Sequence, residues 1–176
     1  MVKFETSRLR CHSLTLEDYA VFESGREPNW IDFTNPYKHL IEGPNPLPHR
    51  ISRIKKNPEF AEIGLFLAVE KATKELIGSS GFHDFPDPNG MIEIGFGIVP
   101  GKQNNGFGKE LLNGMWKMIS ARPDVKILRY TVSPTNSPSL HIIKSLNFNL
   151  VGEQIDDKDG LELIYELPIK TYLQSI

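Results

Sequence analysis

Polar and apolar residues alternate from Arg8 to Ser13, the period of a half-buried strand. Thr15-Leu-Glu-Asp18 follows, a capping box with Asp in the acidic place, and predicts a helix over about Leu16–Glu23. Between Gly25 and Pro48 stand Pro28, Pro36, Pro44, Pro46 and Pro48 among the aromatics Trp30, Phe33 and Tyr37, which predicts a long shaped loop until Pro48 opens a short helix. The β-rich runs Ile63–Lys71 and Glu75–Phe82 flank Ala72-Thr-Lys74 as a hairpin. A turn at Phe85–Gly90 leads into a third strand, Met91–Val99. Phe107, Leu111, Met115, Met118 and Ile119 recur at helical spacing, and a strand Lys126–Val132 follows. Ser137-Pro138 reads as N-cap and first residue of a helix to about Leu146, with Asn147 suited to a left-handed cap. Strands Phe148–Ile155 and Leu161–Leu167 close the chain around the turn Asp156–Gly160. The order βα(α)βββαβαββ is that of an α+β fold.

Length and composition narrow the function. A chain of 176 residues fits one domain, spanning 1–176, with a core large enough to need neither metal nor disulfide. Twenty Lys and Arg against 22 Asp and Glu leave a formal charge of −2, which argues against nucleic acid as a partner. Cys11 is the single cysteine, so no internal disulfide or cysteine zinc site forms and a reducing compartment is expected. Neither a signal peptide's apolar run nor a membrane-length one is present, so a cytoplasmic protein with no membrane partner is expected. His12, His39, His49 and His141 are scattered without paired carboxylate spacing, and no metal site is expected.

The chemistry gathers at Gly101-Lys-Gln-Asn-Asn-Gly106-Phe-Gly108-Lys-Glu-Leu-Leu112, where a glycine-rich polar run opens a helix. Such a loop aims several backbone N–H groups at one point under the positive end of a helix dipole, and its guest is an anion. It is not a Walker A loop, because Phe107 and Gly108 stand where Lys-Ser/Thr is required after Gly106. Nor is it a dinucleotide fingerprint: the third glycine is replaced by Pro100 or Leu111, and no Asp or Glu occurs between Val125 and Gly152 to hold a ribose.

Gln103-Asn-Asn-Gly106-Phe-Gly108, after a strand and before a helix, resembles the acyl-CoA pyrophosphate loop of the GNAT N-acyltransferases. Glu93-Ile-Gly-Phe-Gly-Ile-Val-Pro100 resembles that family's central strand, and Asn136-Ser-Pro-Ser139 with Leu146-Asn147-Phe148 resembles its late helix and the turn after it. Thr6-Ser-Arg-Leu-Arg10 with Leu14-Thr-Leu-Glu-Asp18 is similar to the branch of the ribosomal-protein alanine acetyltransferases. The resemblance implies a mixed, mostly antiparallel sheet of about seven strands with about four helices. It also implies acetyl-CoA as cosubstrate, with no metal, and an amine acceptor, either a protein N-terminus or a small molecule; a homodimer is left open.

The same resemblance implies residue roles. The backbone of Gln103, Asn104, Asn105, Gly106, Phe107, Gly108 and Lys109 holds the pyrophosphate, with Lys102 and Lys109 as candidate phosphate cations. Ile98 and Val99 pair with pantetheine through backbone freed from the neighbouring strand, and Asn136 contacts pantetheine or caps its helix. Glu93, on the strand face of Met91 and Gly95, is the candidate base, acting through water. Ser139 is the candidate partner of the thiol. His83 shapes the acceptor pocket or serves as a second base, and Trp30, Phe33 and Tyr37 line the acceptor cleft. Ile143 stands where many members carry a tyrosine acid, which leaves room for a CoA-binding module without catalysis.

Overall fold

The computed structural model describes residues 2–29, 32–42, 46–157 and 159–175. Its strands are β1 (Lys3–Glu5), β2 (Leu9–Ser13), β3 (Phe66–Glu70), β4 (Leu76–Phe82), β5 (Met91–Ile98), β6 (Ile127–Val132), β7 (Asn149–Asp156) and β8 (Gly160–Pro168). Its helices are α1 (Leu16–Glu23), α2 (Leu47–Lys56), α3 (Ala61–Gly64), α4 (Phe107–Ile119), α5 (Ser137–Ser145) and α6 (Ile169–Gln174). Strand order is β1-β2-β3-β4-β5-β6-β8-β7, a mixed sheet of eight strands in an α+β fold. The strand beyond the expected seven is β1, whose three residues are too short to show alternation.

The chain divides into two compact units, residues 1–82 with 96–115 and residues 83–95 with 116–176, and β5 and α4 each contribute to both. In the first, β1 to β4 form an antiparallel run, with Leu9–Ser13 paired in register to Glu70–Phe66. α1 starts where the capping box predicts: Thr15 accepts from the Asp18 amide while the Asp18 carboxylate accepts from the Thr15 amide at 2.7 Å. The expected start of β3 at Ile63 gives way to the helical turn α3, because Asn57 caps a 3₁₀ turn at Pro58–Phe60 that carries the backbone on as helix. Tyr19, Phe22, Phe60, Phe66, Leu111 and Met115 are buried here. Cys11 lies among them, and burial pushes its thiol up to about 12, so it serves packing rather than nucleophilic chemistry.

Gly81 on β4 marks the tightest approach in this unit. A Cβ there would lie 2.0 Å from the Gly64 carbonyl oxygen and 2.9 Å from the Leu65 Cα, backbone atoms that cannot step aside. Gly81→Ala is expected to destabilise the fold by about 3 kcal/mol, read as a lower midpoint in denaturant titration.

In the second unit β5 pairs in parallel with β6 (Met91↔Ile127 to Glu93↔Arg129), β6 pairs antiparallel with β8, and β7 is the outer strand against β8. Trp116 stacks against Phe148 at 5.8 Å between ring centroids, over a core with Ile92, Leu128, Ile143 and Tyr165. Asn147 takes φ 60°, the left-handed cap expected after α5.

Candidate active site

The glycine loop lies in the first unit. Asn104 (φ 61°) and Gly106 (φ 79°) both adopt left-handed backbone, which folds the chain back on itself ahead of α4. The loop's carbonyls are drawn inward. The Asn105 side-chain amide donates to the Gln103 carbonyl at 2.8 Å, Arg8 Nη1 donates to the Asn105 carbonyl at 3.0 Å, and the Glu110 amide donates to the Gly106 carbonyl at 3.1 Å. The amides of Asn104, Asn105, Gly106, Phe107, Gly108 and Lys109 donate to no acceptor among the described residues. At a helix start such unmet donors, with the helix dipole behind them, make an anion-binding concavity.

Lys102 is not available to that anion. Its Nζ lies 2.6 Å from Glu70 and 2.7 Å from Glu75, and hydrogen bonds to these two carboxylates hold its pKa above the ordinary lysine value. It clips the loop entrance to the β3–β4 hairpin. Lys109 remains exposed, with no ion pair or hydrogen bond from its side chain among the described residues.

Ahead of the loop, the Val99 amide donates to the Ile77 carbonyl of β4 and the Val99 carbonyl accepts from the Lys102 amide, both at 2.9 Å. Val99 is therefore held by β4 rather than freed from it. Successive strand amides point to opposite edges, so Ile98 is the residue whose backbone turns away from β4. Its carbonyl accepts from Gln103 Nε2 at 2.8 Å and retains a second lone pair. The expectation of pantetheine pairing at both residues narrows to Ile98.

Of the aromatics expected at the acceptor cleft, Trp30 lies outside the described residues. Tyr37 sets its ring edge 3.1 Å from where a Cβ on Gly101 would stand, against the loop entrance. Phe33 is half-buried beside Thr34, which is bridged to Glu75. This segment is anchored by Asn35, whose side chain bonds both the amide and carbonyl of His39, and by His39 Nε2 on Ser79 Oγ at 2.9 Å. Burial pushes His39 down to about 4 and keeps it neutral.

In the second unit two polar side chains meet on the Glu93 carboxylate. Thr131 donates its hydroxyl to Oε1 at 2.5 Å, His83 Nδ1 lies 3.3 Å from the same oxygen, and the Glu93 side chain is 18% exposed. Burial raises the Glu93 pKa, but hydrogen bonds from His83 and Thr131 and the charges of His83 and Arg129 outweigh it, leaving the carboxyl below its ordinary value. A carboxylate so held orients and charges a neighbour better than it abstracts protons itself. The backbone fixes the pair too, since the His83 amide donates to the Glu93 carbonyl at 2.9 Å.

Gly95 lets that geometry exist, because a Cβ on it would sit 2.9 Å from His83 Nε2. Gly95→Ala is expected to swing the ring off Glu93 and lower kcat/KM about tenfold with little change in melting temperature, the ring being a movable neighbour. Steady-state kinetics beside a thermal melt reads both.

Asn136 caps α5, its side-chain oxygen accepting from the Ser139 amide at 3.2 Å, while its Nδ2 donors are unused among the described residues. Ser139 is buried and hydrogen-bonded to the phenol of Tyr130, a residue the sequence pattern hides as one more apolar position of β6. Ile143 is wholly buried, a core residue of this unit.

An α+β sheet with a glycine-rich loop of unmet amides at a helix start and a half-buried carboxylate beside an imidazole is the equipment of an acyltransferase. Residues 8–149 match the model of the acetyltransferase (GNAT) domain, and the chain belongs to that family. The uncharacterized N-acetyltransferase YjdG of Bacillus subtilis (strain 168) is 27% identical over 161 residues, covering 85% of this chain and 91% of that protein. Two solved structures share the fold. The ribosomal L7/L12 α-N-protein acetyltransferase RimL, in complex with coenzyme A, superposes with TM-score 0.68 at 12% identity over 97% of this chain and 99% of its own. The spermidine/spermine N-acetyltransferase SpeG of Vibrio cholerae, in mutant form, does so with TM-score 0.68 at 16% identity over 96% and 98%.

Proposed function

We propose that this acetyltransferase moves an acetyl group from acetyl-CoA to a primary amine by direct attack, working as a single domain in the cytoplasm. No helix among the described residues is long and apolar enough to cross a membrane. The observation that carries the reading is the run of six amides from Asn104 to Lys109 without an acceptor among the described residues, in a chain of this family. They take the CoA diphosphate, Ile98 pairs with pantetheine, and the thioester is thereby presented to the acceptor.

The amine nitrogen then bonds to the acetyl carbon as the carbon–sulfur bond breaks. The amine's proton leaves to His83, with Glu93 orienting the ring and stabilising its cation, either directly or through one water. The Ser139 hydroxyl hydrogen-bonds the departing sulfur and relays a proton to it, with Tyr130 behind it. Cys11, buried with its pKa raised, supports direct attack over a cysteine-bound acetyl intermediate.

A protein N-terminus or a small-molecule amine serves as acceptor. An α-amine with pKa about 8 is already roughly 10% neutral at pH 7, whereas a lysine at about 10.4 is below 0.1% neutral and asks more of the base. The two structural neighbours are named for a protein α-amine and for a polyamine, so this fold alone does not set the acceptor. Thiol release from acetyl-CoA across an amine panel, with mass spectrometry of products formed in fractionated cell extract, tests the proposal. A thermal shift with CoA but no thiol release from any amine would instead establish a binding module, the outcome that Ile143 in place of a tyrosine acid favours.

A further inference from the structure

The motif Thr6-Ser-Arg-Leu-Arg10 has no part in the chemistry above, yet the structure puts two of its side chains on the glycine loop. Glu110, in the first turn of α4, accepts from the Thr6 hydroxyl at 2.6 Å, from the Arg8 amide at 2.7 Å and from Arg8 Nε at 2.6 Å. The Arg8 guanidinium stacks on the Phe107 ring, 4.2 Å from its centroid, and Nη1 reaches the Asn105 carbonyl at 3.0 Å. Nη2 lies 3.4 Å from the place a Gly106 Cβ would take.

We propose that Arg8 is a positioning residue for the donor: locked by Glu110 and Phe107, it holds the Asn105 carbonyl inward and so turns the Gly106 amide outward. The step rests on peptide geometry. In a trans peptide the C=O and the next N–H point in opposite directions, so a carbonyl fixed on one side of the loop fixes the following donor on the other. The guanidinium suits the task because its planar fork serves Glu110 and Asn105 together while its face covers Phe107. Lysine supplies the charge but neither the fork nor the flat face. The site it serves is the diphosphate site of the proposed function, and the inference rests on that reading.

Isothermal titration of the full chain and of Arg8→Lys with CoA, dephospho-CoA and pantetheine tests it, with a thermal melt of each. Loss of one charge-assisted hydrogen bond to the loop is expected to weaken CoA and dephospho-CoA alike, by roughly tenfold, and to leave pantetheine unchanged. Glu110→Gln, which frees Arg8 without removing it, is expected to give the same ligand pattern, and the double variant to lose less than the sum of the two. CoA affinity unchanged in Arg8→Lys, or CoA and pantetheine weakened together, would overturn the inference. Weakening of CoA but not of dephospho-CoA would also overturn it, by showing a direct contact with the 3′-phosphate. Failure of the unsubstituted protein to bind CoA would instead remove the proposed function itself, and the inference with it.

Discussion

Glu93→Gln is expected to lower kcat/KM for acetyl transfer by about 10²–10³-fold while leaving the Kd for CoA within about twofold. The substitution keeps shape and an oxygen able to accept from Thr131, but removes the negative charge that faces His83 Nδ1 at 3.3 Å. Without that charge an imidazolium formed during amine attack loses the carboxylate that supports it. The pH profile separates this role from that of a free carboxylate base. Hydrogen bonds from His83 and Thr131 leave the folded pKa of Glu93 below its ordinary 4.5 despite burial, so the carboxylate stays ionised throughout the neutral range. Its contribution to stability is therefore full above about pH 4.5 and is lost as pH falls through the lower folded value. An activity limb above about pH 6 then belongs to the acceptor amine and its base rather than to the Glu93 carboxyl, and Glu93→Gln lowers the plateau. Wild-type kcat/KM in the Gln variant would remove the carboxylate from the mechanism.

The local features of both units are legible in the sequence because local chemistry decides them. The Thr15–Asp18 box, the Ala72–Lys74 hairpin turn and the left-handed Asn147 each follow from a few adjacent residues. The anion loop is legible for the same reason, since two glycines at a helix start state their own backbone conformation. Contacts between distant residues are not. Arg8 and Glu110 are 102 positions apart, and Lys102 pairs with carboxylates on a hairpin about which its own neighbourhood says nothing, so it reads as a phosphate cation until the fold places it. Val99 misleads on similar grounds: which edge of a strand an amide faces depends on the partner strand, here Ile77. His83, ten residues before Glu93, is within reach of the sequence, because a turn that doubles β5 back beside it brings its ring over a glycine, and Gly95 is the trace of that contact.

The donor loop allows an equally sharp test, because backbone strain and steric blockade can be told apart there. Gly106 has φ 79°, where an L side chain costs about 1–2 kcal/mol, and Gly160 at the start of β8 has φ 74° with no described atom within 4 Å of the place its Cβ would take. Gly106→Ala and Gly160→Ala should therefore lose similar stability. Their effects on donor binding should diverge. A methyl at Gly106 meets Arg8 Nη2 at 3.4 Å, on the guanidinium that holds the loop, and so disturbs the backbone that phosphate oxygens must approach within hydrogen-bond distance. Calorimetry is expected to give about a 100-fold weaker CoA complex for Gly106→Ala, and an unchanged one for Gly160→Ala at matched loss of melting temperature. Equal CoA affinity in both variants would place the diphosphate elsewhere, because strain common to the two positions would then be the whole consequence of the added carbon.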